Sequence, residues 1–368
     1  MTDQPLLPSY DGACISNVVP ALLHPADVAP PWLPAAAAGA ERVVLLVIDG
    51  LGWAQLAARR ASTPALHELD GGPITTVAPS TTASALTSIS TGLPPGEHGV
   101  VGYRMAVHGE VLNVLRWSTA AGDARQTIPP GKVQVHPAFG GHRPPVVTRA
   151  EFARSGFTLA HLDETRFVGY RTLGTLAAEV VRLARSGEPF VYAYYEGLDK
   201  VCHEYGLDAQ YDEELRWIDH LVATLLERLP AGTVLVVTAD HGQVVVPQDE
   251  VIELPSEVQT HVATQSGEGR FRWLHARGGR TGALLDAARG TLGHLAWVRS
   301  REEAIAEGWY GPTVTDAAAS RLGDVLLAAR GTAAFNDPND TGPYQLVGRH
   351  GSLTEDEMLV PLLAGIAR

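Results

Sequence analysis

The sequence predicts an α/β protein of three layers, α/β/α, in which helices cover both faces of a largely parallel central sheet and one cap segment is inserted. Three observations predict it. Continuous aliphatic and aromatic runs at Val43–Ile48, Phe190–Tyr195 and 233–238 fit strands buried on both faces, where no polar alternation is needed. Between the second and third runs, Leu215, Ile218, Val222, Leu225 and Leu229 recur at helical spacing. Strand, helix and strand in alternation imply right-handed crossovers and a layered sheet.

Along the chain, residues 26–40 are rich in Pro and Ala and read as a surface lead-in to the first strand, which Asp49-Gly50 ends. Ile74-Thr75-Thr76-Val77 reads as a short strand, Pro79-Ser80-Thr81-Thr82 as the turn after it, and 83–91 as a helix stopped by Gly92. Asp208 is placed to cap the long amphipathic helix, which Pro230 follows. Residues 256–335 change character, with Arg270, Arg272, Arg277 and Arg280 around Phe271 and Trp273. The expected organisation is a catalytic core of 1–255 and 336–368 with 256–335 as the inserted cap. The arginines read as a solvated face, with contact to a substrate phosphate as the alternative. His220 on the long helix reads as surface, and Cys202 as a small filler. No internal repeat is present.

Bulk composition sets limits. The 368 residues are 45% hydrophobic and 19% charged, a globular balance. A formal charge of −13 argues against binding to nucleic-acid polymers or anionic membranes, both of which need a basic face. Cys14 and Cys202 cannot build a disulfide framework. Met1-Thr2-Asp3-Gln4-Pro5 lacks a basic leader, and no run approaches a membrane span, so a cytoplasmic protein is expected.

Chemistry gathers at the carboxyl ends of the strands. Asp49 follows the first run directly, Asp199 lies four residues past the second, and Asp240 two past the third. Asp199 and His203 are spaced i, i+4 and share a face of a helical turn, so both can reach one ion. Asp240-His241-Gly242 presents two adjacent ligand types in a turn, and His350-Gly351 offers another imidazole. Carboxylate with imidazole suits Zn²⁺, with Mn²⁺ as the alternative. Ser80, Thr81 and Thr82 sit at the mouth of a helix, where unpaired N–H groups favour phosphate; each is either a nucleophile or a cap.

The ordered set Val44-Leu45-Leu46-Val47-Ile48-Asp49-Gly50, Thr63-Pro64, Pro79-Ser80-Thr81-Thr82, Thr91-Gly92-Leu93-Pro94-Pro95-Gly96-Glu97-His98-Gly99, Asp199-x-x-x-His203, Thr238-Ala239-Asp240-His241-Gly242 and His350-Gly351 resembles the alkaline phosphatase superfamily. Within it the chain is most similar to the type I phosphodiesterase/nucleotide pyrophosphatase branch. The resemblance implies two divalent cations, one held by Asp49, Asp240 and His241 with the nucleophile, the other by Asp199, His203 and His350. It implies a nucleophile nine residues before the Thr of a Thr-Gly pair, hence Thr82 before Thr91, with Thr81 and Ser80 as fallbacks. Where that branch has a phosphoryl-contacting asparagine, this chain has Tyr103 and Arg104, and either side chain could donate in its place.

The implied reaction is hydrolysis of phosphodiester or pyrophosphate bonds in nucleotide-type small molecules through a phospho-threonine. The enzymatic alternatives are a phosphomonoesterase, a phosphonate hydrolase or a sugar-phosphate mutase on the same scaffold. The alternative of another class is a non-catalytic nucleotide- or metal-binding protein, whose mark would be missing ligands; all six are present.

Overall fold

A computed structural model describes residues 4–340 and 345–368. Met1-Thr2-Asp3 of the N-terminal stretch, and 341–344 within the second core segment, lie outside the described residues.

Seven strands form the central sheet in the order Asp70–Thr75, Leu359–Ile366, Val234–Thr238, Val43–Ile48, Phe190–Tyr195, Pro145–Arg149, Arg166–Tyr170. Every pairing from Val234–Thr238 to Arg166–Tyr170 is parallel; Leu359–Ile366 runs antiparallel to both its neighbours. All six residues of Val43–Ile48 are buried, because helices cover both faces. On one side Leu173–Arg185 packs on three strands and is itself packed by Ala209–Arg228, which also touches Pro64–Glu68 and Gly197–Tyr205. A second helical group is built around Thr82–Thr91, which meets Ile15–Asn17, Val18–Leu23 and Gly156–His161. Thr82–Thr91 is buried up to Ser90 and ends at Gly92 with φ +73, a left-handed geometry in which glycine carries no side-chain penalty. Asp208 caps Ala209–Arg228 as expected, and His220 is exposed. Among the described residues no helix is long and apolar enough to cross a membrane.

Within 256–335 a second, antiparallel sheet runs Val262–Glu268, Phe271–Ala276, Val325–Ala329, Ala296–Ser300. One of its faces closes over Leu284 and Leu292 of the helix Thr281–Leu292 in a small core of its own. The other face sends Phe271, Trp273 and Leu326 into the main core. Alternation along the strand therefore joins this segment to the body.

Two expectations are corrected. The edge strand is Asp70–Thr75, displaced toward the N-terminus from the Ile74–Val77 stretch; its Asp-Gly-Gly-Pro start has no strand propensity and is held by pairing with Leu359–Ile366. Arg270 and Arg272 are not a solvated face: they are 0% and 1% exposed. Arg270 forms a two-pronged pair with Glu357, Nε to Oε1 at 3.0 Å and Nη2 to Oε2 at 2.6 Å, and Arg272 donates to the Phe335 carbonyl at 3.0 Å. Only Arg277 and Arg280 are exposed.

Candidate metal centre

Parallel register brings the three acids to one edge. Val47 is opposite both Thr238 and Tyr194, so the chain leaves three adjacent strands side by side and turns there into Asp49, Asp240 and the helix Gly197–Tyr205. Gly50 makes the first turn at φ +75; a Cβ there would lie 2.7 Å from Gln243 Nε2 and 3.1 Å from the Asp199 backbone.

Asp49, Asp240 and His241 converge in full burial. Asp240 Oδ1 accepts the Gly50 and His241 amides, both at 3.0 Å, while its Oδ2 is buried with no partner. Tyr194 donates its hydroxyl to Asp49 Oδ2, and Asp49 Oδ1 is likewise buried without a partner. Both orphaned oxygens face His241 Nε2, at 3.4 and 3.5 Å, and Thr82 Oγ1 lies 3.2 Å from the same nitrogen. Ligands about 2.1 Å from a tetrahedral ion stand about 3.4 Å apart, so these separations fit a cation among them.

The second set surrounds Asp199. His203, one helical turn on, brings Nε2 to 3.3 Å from Asp199 Oδ2; His350 Nε2 is 3.8 Å from Oδ1. The ligand atoms that lie within 4.8 Å of one another here belong to Asp199, His350 and His241, not His203; the ring of His241 stacks on His350 at 3.6 Å between centroids, and the rings of His203 and His350 are 5.2 Å apart. His241 thus stands between the two sets.

All three histidines are oriented alike. Nδ1 of His203, His241 and His350 meets the carbonyl of Gly348, Gly242 and Ser80 at 2.7, 3.0 and 2.9 Å. A carbonyl can only accept, so Nδ1 carries the proton and Nε2 turns its lone pair inward, the arrangement of a metal-ligating imidazole.

The electrostatics agree. Burial, then the charges of Asp240 and Asp199, pushes the Asp49 carboxyl well above its usual range, and burial also raises Asp240. Burial, with His241 and His203 nearby, holds His350 well below the ordinary imidazole value. Carboxyls buried as deeply as Asp49 and Asp240 are stable in their charged form when positive charge is supplied beside them. The donor set, its orphaned oxygens and its spacing all fit divalent cations.

Thr82 opens the helix Thr82–Thr91 with its hydroxyl toward His241. Thr81, the residue before, makes no capping bond with its side chain and reaches Glu268 instead. Ser80 donates to the Ser352 carbonyl at 2.6 Å. Of the three hydroxyls considered, Thr82 is the one that meets the Asp49, Asp240 and His241 cluster. Tyr103 lines the larger adjoining cavity, its oxygen accepting from Asn113 at 2.7 Å. Arg104 is buried, with Nη1 2.6 Å from Asp337, and does not line that cavity. Sequence reasoning missed Tyr194 and Gln243, whose amide donates to Asp199; a tyrosine at the tail of an otherwise buried strand was the available signal for the first.

Solved structures share this fold. The murine ectonucleotide pyrophosphatase/phosphodiesterase 5 superposes with a TM-score of 0.66 at 18% identity, over 88% of this chain and 87% of that one. An inactive threonine-to-alanine variant of the murine protein, in complex with AMP, gives the same figures. Phosphonoacetate hydrolase from Sinorhizobium meliloti 1021, in complex with phosphonoacetate, gives 0.63 at 19% identity over 91% and 90%. No curated protein matches in sequence. The family model described as type I phosphodiesterase / nucleotide pyrophosphatase matches residues 43–353, from the strand that ends in Asp49 to just beyond His350. By that match the chain belongs to the type I phosphodiesterase/nucleotide pyrophosphatase family, whose members are hydrolytic enzymes.

Proposed function

We propose that this chain hydrolyses phosphodiester or pyrophosphate bonds of nucleotide-type substrates through a phospho-Thr82 intermediate. Asp49, Asp240 and His241 would hold one divalent cation beside Thr82, and Asp199, His203 and His350 a second, both imidazoles approaching Asp199, with Zn²⁺ favoured by the donor types and Mn²⁺ the alternative. When bound, the pair supplies positive charge that lowers the pKa of a nearby hydroxyl and balances the phosphoryl oxygens.

The observation that carries the reading is the position of Thr82. Its hydroxyl stands 3.2 Å from His241 Nε2, at a helix N-terminus whose amides and dipole favour phosphate, and it lines both cavities that adjoin the centre. Thr82 Oγ1 loses its proton to solvent and forms the bond to phosphorus as the leaving oxygen departs on the opposite side and takes up a proton from solvent. Water then attacks the same phosphorus, the phosphorus–Oγ1 bond breaks, and the hydroxyl is restored. The smaller cavity, about 230 Å³, is walled by Leu86, Phe152, Phe157, Leu162 and Tyr192, a surface suited to the organic group of a diester. The threonine-to-alanine inactivation of the murine neighbour supports a threonine in this role.

Thr82→Ala should abolish turnover of nitrophenyl diesters and nucleotides while keeping fold and metal content, and Thr81→Ala should retain activity. Acid quench during turnover of a ³²P-labelled substrate should trap label on the wild-type protein and none on Thr82→Ala. Full activity in Thr82→Ala would sink the covalent reading. A phosphonate hydrolase on the same scaffold is the second reading, favoured by the Sinorhizobium structure; phosphonoacetate belongs in the substrate panel for that reason.

A further inference from the structure

Two cavities meet at Thr82. The smaller is the apolar one just described; the larger, about 620 Å³, reaches between the central sheet and the 256–335 segment. Four residues line both: Thr82, Leu115, Asp199 and Lys200. Lys200 is the one cation among these four.

We propose that Lys200 contacts the phosphoryl group undergoing transfer, and that Glu196 is its positioning residue. The proposal rests on the reading of Thr82 as nucleophile. Lys200 follows Asp199 in the helix Gly197–Tyr205, so the turn that presents Asp199 and His203 also fixes the root of this side chain. Its Nζ donates to Glu196 Oε1 at 2.9 Å. Glu196 is only 4% exposed and is held from elsewhere as well, by the Tyr170 hydroxyl at 2.6 Å and by Arg149 Nε at 3.3 Å. The carboxylate is therefore a fixed anchor with a second cation upon it, and the charge of Lys200 is not consumed there. An ammonium carries three donors, and Glu196 engages one. The Lys200 side chain is 54% exposed, open to an incoming ligand.

The other cations nearby are placed differently. Arg104 is committed to Asp337 and lines neither cavity, so it brings no free charge to the junction. Arg270 is paired with Glu357, and Arg272 is bound to the Phe335 carbonyl with Asp337 at 3.7 Å. Arg116 and Arg349 line the larger cavity only. A surface i, i+4 Glu–Lys pair on a helix would have no effect on ligands; Lys200 differs in lining, together with Thr82, both cavities that meet at the nucleophile.

The test uses the full chain loaded with Mn²⁺, as wild type, Lys200→Gln, Lys200→Arg, Glu196→Gln and the double variant. Inorganic phosphate is titrated by calorimetry, which reads the contact whether or not the protein turns over a given ester. Metal content and melting temperature establish that each variant is intact. Lys200→Gln should weaken phosphate binding on the order of 10- to 100-fold and lower kcat/KM by a similar factor, as expected for a hydrogen bond to a charged group. Lys200→Arg should recover much of the loss. Glu196→Gln should weaken phosphate less than Lys200→Gln, and should add nothing in the Lys200→Gln background, a coupling that a merely structural role would not produce. Unchanged phosphate affinity in metal-loaded Lys200→Gln overturns the proposal. Absence of any ester hydrolysis by wild type, with phosphate still bound through Lys200, would instead reject the hydrolytic reading.

Discussion

Glu357→Gln tests how the 256–335 segment is fastened beside the candidate metal centre. Glu357 and Arg270 are both 0% exposed. The carboxylate accepts two bonds from the guanidinium and a third from the Ser352 amide at 2.9 Å, and Ser352 lies two residues past His350. Glutamine keeps the shape but leaves a fully buried guanidinium with no anion, which costs about 3–5 kcal/mol when one partner of such a pair is removed. For 368 residues, an unfolding entropy of roughly 2.1 cal/mol/K per residue gives about 0.8 kcal/mol per degree, so the melting temperature should fall by about 4–6 °C. The assay is calorimetric unfolding in chelator, so that metal linkage does not enter. Arg270→Met combined with Glu357→Leu removes both charges and should recover most of the loss, since apolar replacement of a whole buried pair is close to neutral. A fall under about 1 °C for the single variant, or a double variant that loses the sum of both singles, would refute the argument.

Other predictions address the centre and its surroundings. Tyr194→Phe removes the donor to Asp49 and should weaken divalent-cation affinity about 10- to 100-fold in a chelator competition; unchanged affinity would mean that the tyrosine does not orient the ligand. His98 is held neutral by burial, its pKa down at about 3, with Val100 N donating to Nδ1 at 3.1 Å. Its folded pKa lies below the unfolded value of about 6.5, so stability is intact above pH 6.5 and is lost as the pH falls toward 3, by at most about 1.4 kcal/mol per unit. His98→Gln should flatten that part of the profile in urea melts at pH 7 and pH 5, and an unaltered difference between the two would contradict it. His241→Ala should slow formation of labelled phospho-enzyme, whereas His350→Ala should slow its breakdown; equal accumulation in both would undo the division of roles between the two cation sites.

The parts of the fold that were legible are those where one local signal suffices. Val43–Ile48 is apolar throughout because both its faces are covered, and Asp199 and His203 meet because four residues make one helical turn. Asp49, Asp240 and Asp199 come together because their strands are parallel and adjacent, which the βαβ pattern implies. The buried arginines were illegible for the opposite reason. Arg270 finds its carboxylate 87 residues away and Arg272 its carbonyl 63 residues away, and no periodicity encodes a partner at that distance. The strand at Asp70–Thr75 likewise owes its existence to a neighbour almost three hundred residues later, against its own glycines. Tyr103 and Arg104 could be placed near the site from their motif, but which one faced the cavity depended on Asp337 drawing the arginine away.

That late neighbour, Leu359–Ile366, has a consequence for the chain as it leaves the ribosome. It lies between Asp70–Thr75 and Val234–Thr238, so during synthesis the first of these has no sheet to join and the second shows a bare edge of unpaired backbone N–H and C=O groups. Synthesis at roughly 5–20 residues per second leaves that edge open for some seconds after Thr238 has emerged, an interval in which it can pair with another nascent copy. His350 arrives in the same stretch, so the candidate metal centre and the sheet are completed together. Nascent chains stalled before residue 359 should accordingly be aggregation-prone clients of holdase chaperones, and release of the last strand should end that dependence.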